Sequence, residues 1–173
     1  MRFSPKYMVP TKQAGGGSCM VWGAISKTRT FPLVRIETRL DGAGYAEILK
    51  TFFKTQGQKL SGSRASRPRV QWTFQHDNAS IHRANVVETA LSRWKVPLLP
   101  WPALSPDLSP IENLWSYVSG RLRGRVFSNP DALFEAAQQE WAAVPPAVLA
   151  SLYDSMPNRC RLVLQGRGHP TRF

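Results

Sequence analysis

Apolar residues are grouped differently along the chain. Early on they form short runs, and further on they recur at helical intervals. "CMVWGAIS" (19–26) is apolar and bounded by Gly and polar residues, the pattern of a buried strand. "FPLVRIET" (31–38) alternates Leu33, Arg35 and Glu37 against Val34, Ile36 and Thr38, a half-buried strand. The intervening "KTRT" predicts a hairpin. In "DGAGYAEILKTFFK" the residues Tyr45, Ile48, Leu49, Phe52 and Phe53 fall at helical spacing. "VQWTFQ" (70–75) predicts a strand leading to Asp77, and a helix over about 81–94 carries Val86, Val87, Ala90, Leu91 and Trp94 on one stripe. Leu98 and Leu99 suit one more short strand before a proline-rich loop. From Pro110, Ile111, Leu114, Trp115, Val118 and Leu122 recur every three or four residues, an amphipathic helix. Two further helices, about 130–143 and 146–157, are separated by Pro145-Pro146. Strands, then strand–helix alternation, then a helical tail predict an α/β class. The length of 173 residues predicts a single domain, 1–173.

Charge narrows the choice of partner. Lys and Arg number 23 against 11 Asp and Glu, a net +12, which favours a polyanion. Nucleic acid is the first candidate and an acidic membrane surface the second. One group of cations, Lys59, Arg64, Arg67 and Arg69, lies in the Gly/Ser/Arg-rich stretch 56–69, read as a basic flexible loop that is either a solvated linker or a phosphate contact. Another, Arg121, Arg123 and Arg125, lies in the "GRLRGR" that ends the helix starting at Pro110, where cations also suit the dipole. Cys19 and Cys160 form no disulfide framework and no metal-ligand spacing, so idle thiols in a reducing compartment are expected. The N-terminal "MRFSPKYMVPTKQ" has no apolar signal core, and no run approaches the roughly 20 apolar residues that span a bilayer. A soluble protein without a membrane partner is expected, nuclear in a eukaryote and otherwise cytoplasmic.

The chemistry concentrates in "FQHDNASIH" (74–82) and "SPDLSPIENLW" (105–115). An Asp-Asn pair after a strand starts a turn readily, and a carboxylate at a strand terminus also suits a metal; Asp77 fits both. Glu112 has two readings as well. Ser109 at N-cap, Pro110 at N1 and Glu112 at N3 make a capping box, and the same carboxylate is a candidate metal ligand. Phosphodiester chemistry on two divalent ions needs carboxylates converging from separate elements, and oxygen ligands suit Mg²⁺. Asp107 is a further candidate, as a cap or as a third acid. His82 reads as a helix-start residue or polar contact. A zinc site from His76, Asp77 and His82 matches no ligand template, and no Ser sits in a Gly-flanked nucleophile elbow.

Together, "GGGSCMVWGAIS" (15–26), "FQHDNASIH" and "LPWPALSPDLSPIENLW" (99–115) resemble the DDE transposases of the mariner superfamily, as does the ending "SMPNRCRLVLQGRGHPTRF". That family separates its second Asp from its Glu by 34 residues, the number between Asp77 and Glu112. The resemblance implies an RNase H-like, retroviral-integrase-type mixed sheet with flanking helices. It also implies Mg²⁺- (or Mn²⁺-) dependent cleavage at the ends of a DNA element and joining to a target, with water and then a DNA 3′-hydroxyl as nucleophiles. Asp77 and Glu112 then correspond to the second and third acids holding two ions, with DNA as partner and a homodimer as the family's assembly.

The family's first Asp lies on its first, central strand, upstream of the Gly-rich segment, and paired helical DNA-binding modules come before that. Met1 falls after both, so the chain is expected to be an incomplete catalytic domain without that strand and those modules. Asp41, in "LDGAG", is an ordinary turn residue rather than a substitute. The expectation is a poorly stable chain, one that aggregates or recruits residues 2–12 as a makeshift strand, and one that does not cleave DNA alone. The competing reading is a non-enzymatic, transposase-derived DNA-binding or interaction protein using Arg64, Arg67, Arg69, Arg121, Arg123 and Arg125.

Overall fold

The computed structural model describes residues 18–60, 72–166 and Thr171. In chain order its elements are strands β1 (Met20–Trp22) and β2 (Val34–Ile36) and helices α1 (Gly42–Leu60), α2 (Asn85–Arg93), α3 (Pro110–Leu122), α4 (Pro130–Ala142), α5 (Pro146–Asp154) and α6 (Met156–Gln165), with one 3₁₀ turn at Pro106–Leu108. The chain divides into two compact units, one comprising Met1–Glu37 with Ser105–Phe173 and the other Thr38–Leu104.

In the first unit the predicted hairpin forms. β1 and β2 pair antiparallel with Met20 opposite Ile36 and Trp22 opposite Val34, and a bridge between Ile25 and Thr30 brings the ladder towards its turn. The turn itself closes through Ser26 N–H to the Arg29 carbonyl. Leu33 is buried while Arg35, two positions on along the same face, reaches Asp131 and Glu37 and lies 5.7 Å from the Phe134 ring. This buries the stem of Arg35 and keeps its charge paired.

Cys19, Val21 and Leu33 join Leu114, Val118, Leu122, Leu133, Ala137, Trp141 and Leu149 in one apolar core. α3 therefore packs against α4 and α5 on the stripe that its sequence period predicts. Trp141 is central: its ring stacks on Trp115 at 4.5 Å, and its Nε1–H donates to the Phe31 carbonyl at 2.7 Å. Gly23 makes room for both rings. A Cβ there would stand 2.8 Å from Trp141 and 2.9 Å from Trp115.

Three differences from the sequence expectation concern helix ends. The chain closes with three helices rather than two: the helix expected over 146–157 stops at Asp154, and α6 starts afresh at Met156. Pro157 has no N–H to continue a helix but is tolerated within the first turn of a new one. A buried arginine, Arg159, then anchors α6, donating to the Asp107 carbonyl and to the Ser155 hydroxyl at 2.8 Å each.

In the second unit α1 packs against α2. Gly42 permits this contact at its start, since a Cβ would come within 2.5 Å of Ala84 Cβ. α1 also runs through 56–60, the beginning of the stretch expected as a loop. Gln and Lys are good helix formers, and a lone Gly57 costs a helix only about 1 kcal/mol. The rest of that stretch, with Arg64, Arg67 and Arg69, lies outside the described residues, as does the segment 2–12. The expected strands 70–75 and 98–99 meet in a single parallel bridge, Phe74 to Leu98. It rests on Phe74 N–H to the Pro97 carbonyl at 2.7 Å and Leu99 N–H to the Phe74 carbonyl at 2.8 Å. Pro97 and Pro100 flank this pairing and contribute no donors, which keeps the ladder short. α2 begins at Asn85 rather than 81, because residues 80–83 form the turn that follows Asp77.

Gly23→Ala is expected to lower the unfolding free energy of the 173-residue chain by about 1–3 kcal/mol, the usual cost of overpacking. A urea unfolding midpoint unchanged from the parent would contradict the contact with Trp141 and Trp115.

Candidate active site

Asp77 follows the Phe74 bridge and opens a turn. Its Oδ1 accepts the Ala79 N–H at 3.0 Å, the side chain-to-backbone bond of an Asx turn. The chain then coils so that the Ala79 carbonyl accepts from the His82 and Arg83 N–H groups. This brings the buried His82 back onto Asp77. His82 Nδ1 lies 2.7 Å from Asp77 Oδ1 and 3.1 Å from the Asp77 carbonyl oxygen. Both of those oxygens are acceptors, so Nδ1 carries the proton and the ring is fixed in one tautomer. The two readings of Asp77 are compatible, because one carboxylate oxygen sets the turn that also holds the group in place.

Around this pair is a wall of rings. His82 stacks on His76 at 5.0 Å and 9° and lies 4.3 Å from Tyr45, whose hydroxyl is 3.1 Å from His76 Nδ1. Burial, with the neighbouring His82 adding to it and Asp77 opposing, pushes the His76 pKa down to about 4. His76 is therefore a neutral ring at physiological pH. The sequence shows Tyr45 only as a core position of α1. What could have flagged it is the pair of histidines flanking Asp77, since buried imidazoles need polar partners.

Asn78 turns the other way and donates to the Trp101 carbonyl at 2.6 Å. It ties the turn after Asp77 to the proline-rich segment beyond the Leu98 bridge.

Glu112 lies in the first turn of α3, in the other unit, and its backbone N–H bonds the Ser109 carbonyl at 3.1 Å. Ser109 is the N-cap residue, but its side chain makes no capping bond, so the capping box read from "SPIE" does not form. Pro110 supplies the preset first helical residue instead. Helix N-termini favour negative charge, which is where α3 presents the Glu112 carboxylate.

Asp107 is buried and structural. Its carbonyl receives Arg159, and its Oδ2 accepts the Thr171 N–H at 3.0 Å. Burial lowers the Arg159 pKa, and the charge of Asp107 opposes that shift.

Of the arginines proposed for phosphate contacts, three are described. Arg121 and Arg125 both reach Glu140, at 2.6 and 3.1 Å, and Arg125 lies 5.4 Å from the Phe127 ring. Arg123 is the exposed C-cap residue of α3. Cys19 is buried, and burial pushes its thiol pKa up; Cys160 is exposed and free. No described helix is long and apolar enough to cross a membrane.

A sequence family described as DDE superfamily endonuclease matches residues 4–134 of this chain. The chain belongs to that family. It is 40% identical to the Tc1 transposase of Caenorhabditis elegans over 172 residues, covering 99% of this chain and 60% of that protein. It is 38% identical to the Tcb1 transposase of Caenorhabditis briggsae over the same length, again covering 99% of this chain and 60% of the relative. The chain thus spans 60% of the length of these relatives, and within the DDE transposases its place is in the mariner superfamily. The catalytic domain of Mos1 mariner transposase superposes with a TM-score of 0.79 at 20% identity, covering 90% of this chain and 76% of that one. The same domain with raltegravir and Mn gives a TM-score of 0.80 over 90% and 78% of the two chains, also at 20% identity. The described residues accordingly have the RNase H-like fold of these solved catalytic domains.

The Arg121–Glu140 and Arg125–Glu140 pairs lower the Glu140 pKa, the Arg121 hydrogen bond foremost. A carboxylate with a depressed folded pKa stabilises the fold above its unfolded pKa of about 4.5 and loses that contribution as pH falls through the folded value. Glu140→Gln is expected to flatten the fall in stability below about pH 4.5. An acid unfolding curve of Glu140→Gln parallel to that of the parent would show that the pairs contribute nothing.

Proposed function

We propose that this chain supplies the second and third carboxylates of a transposase that cuts and joins DNA on divalent metal, Mg²⁺ or Mn²⁺. The observation that carries this reading is the seating of Asp77: a carboxylate fixed by the His82 Nδ1–H and the Ala79 N–H directly after a bridged strand segment. Metal-binding carboxylates are themselves hydrogen-bonded by an outer layer of groups that orients them, and the donor set of Asp77 and Glu112 is all oxygen, as these hard cations require.

In this reading Asp77 and Glu112 hold the ions, which when bound lower the pKa of water and neutralise charge on a phosphodiester. His82 keeps its proton on Nδ1 and holds the Asp77 carboxylate in one orientation. His76 and Tyr45 pack their rings on His82 and hold in place the imidazole that positions that carboxylate. Glu112 stands in the first turn of α3, the end of a helix that suits negative charge.

DNA is the substrate and partner, and a two-fold pair of subunits is the assembly. Solved Mos1 structures include a paired-end complex with the left transposon end and a catalytic domain with Mg. Work on chromosomal DNA would take the protein to the nucleus of a eukaryotic cell, and the transposases it resembles come from nematodes. A role confined to phosphate contacts draws less support, because Arg121 and Arg125 share Glu140.

Mn²⁺ binding to the 173-residue chain, followed by electron paramagnetic resonance with Mg²⁺ as competitor, checks the assignment. Asp77→Asn and Glu112→Gln are each expected to weaken Mn²⁺ binding about tenfold or more, and His82→Ala to weaken it less than either. Mn²⁺ affinities of Asp77→Asn and Glu112→Gln equal to the parent's would sink it.

A further inference from the structure

The unit Thr38–Leu104 carries a second surface whose chemistry the Asp77 turn does not use. Two cavities share Lys50 and Trp94 in their linings. The first, ≈ 630 Å³, runs along α2 past Asn85, Thr89 and Arg93. The second, ≈ 390 Å³, is reached past Phe53, Lys54, Trp72 and Lys95. Together they make one groove between α1 and α2 holding four cations and two indoles, and no carboxylate lines it among the described residues.

Three features set this groove apart from a solvated basic face. The indoles are fixed: Trp72 stacks on Phe53 at 5.9 Å and 20°, and Trp94 leans on the same ring at 6.3 Å. Both remain half-buried rather than sealed in. Lys95 occupies a left-handed backbone position, φ 54°, at the α2 C-terminus. There Val96 N–H bonds the Leu91 carbonyl across the helix end, a place that usually takes glycine. The chain thus carries a cation in the groove lining at a backbone position that disfavours side chains. Finally, among the described residues Lys50 has only an exposed partner, Glu47, three residues earlier on the same helix at 3.0 Å. Such a pair is weak in water and yields readily to a phosphate. Cations complementing the α2 dipole would account for Arg93 and Lys95, but not for two indoles lining the same groove.

We propose that this groove binds single-stranded nucleic acid, with backbone phosphates on Lys50, Lys54, Arg93 and Lys95 and unpaired bases against Trp72 and Trp94. Fixed aromatic faces among cations are the means by which proteins hold single strands without reading their sequence. In a duplex the base faces are covered by neighbouring pairs, so duplex DNA engages only the cations. The site is separate from the metal reading of Asp77 and Glu112 and stands whether or not that reading holds.

The test uses the 173-residue chain with a fluorescein-labelled 20-nucleotide oligo-dT, a 20-base-pair duplex and the intrinsic tryptophan emission. Oligo-dT is expected to bind more tightly than the duplex and to quench tryptophan emission. Lys50→Glu with Arg93→Glu should weaken oligo-dT binding at least tenfold, abolish the quench and reduce the salt slope by about 1.4, two phosphates at about 0.7 each. Arg39→Glu with Arg161→Glu, an equal change in net charge at exposed positions outside the groove, should change affinity less than twofold. Lys54→Gln with Lys95→Gly removes two groove cations while giving the left-handed position the residue it favours. It should weaken oligo-dT binding about fivefold without lowering the unfolding midpoint. Equal losses in the two charge-reversed pairs would overturn the proposal, as would oligo-dT binding that leaves tryptophan emission unchanged.

Discussion

The unit that holds Glu112 depends on the seat of one side chain. Trp141 reaches from α4 to the hairpin, donates its indole N–H to the Phe31 carbonyl and stacks on Trp115 of α3. A buried indole N–H left without an acceptor is costly, so the carbonyl before β2 and the ring from α4 hold each other in register. Gly23, after β1, lets the rings approach, and the core of α3, α4 and α5 closes around them. The direction of α3, and hence where its first turn presents Glu112, follows from that arrangement. A small two-stranded ribbon, marginal on its own, is stabilised by what packs on it rather than by its ladder.

In the other unit the corresponding anchor is a short polar circuit. His82 is buried, and its imidazole N–H is matched to two oxygens of Asp77. The stacked rings of His76 and Tyr45 complete its surroundings, and His76 is held neutral by the same burial. A carboxylate fixed by two N–H groups has few orientations available. Such preorganisation is what a ligand for a geometrically demanding cation needs.

The sequence made these parts legible to different degrees, for physical reasons. α3 was readable to its first residue, because Pro110 starts it and its stripe from Ile111 to Leu122 keeps a single period. The hairpin was readable because two apolar runs flank a polar turn. The 34-residue interval between Asp77 and Glu112 was plain, and so was the family resemblance built on it. The capping box was misleading: the Ser109 side chain makes no cap bond, a fact of geometry that composition does not carry. α6 was hidden because Pro157 reads as a terminator unless the break at Ser155 is known. The groove between α1 and α2 was invisible, since Lys50, Trp72 and Arg93 come from three separate stretches and only the fold brings them to one surface.

The order of the two units along the chain has a kinetic consequence. The hairpin ends at Ile36, and the helices it packs against begin beyond Ser105, so the intervening unit Thr38–Leu104 interrupts a single apolar core. Bringing residues such as Val21 and Leu114 together requires closing a long loop, whose entropic cost grows with the length of unstructured chain. Contacts this far apart in sequence slow folding. If the intervening unit condenses first, the loop left to close is far shorter. Assembly in that order would make the α1–α2 packing an early event and the burial of Trp141 a late one. Newly made chains would then expose the hairpin and the apolar stripe of α3 longest, and that is the interval in which they are most open to aggregation.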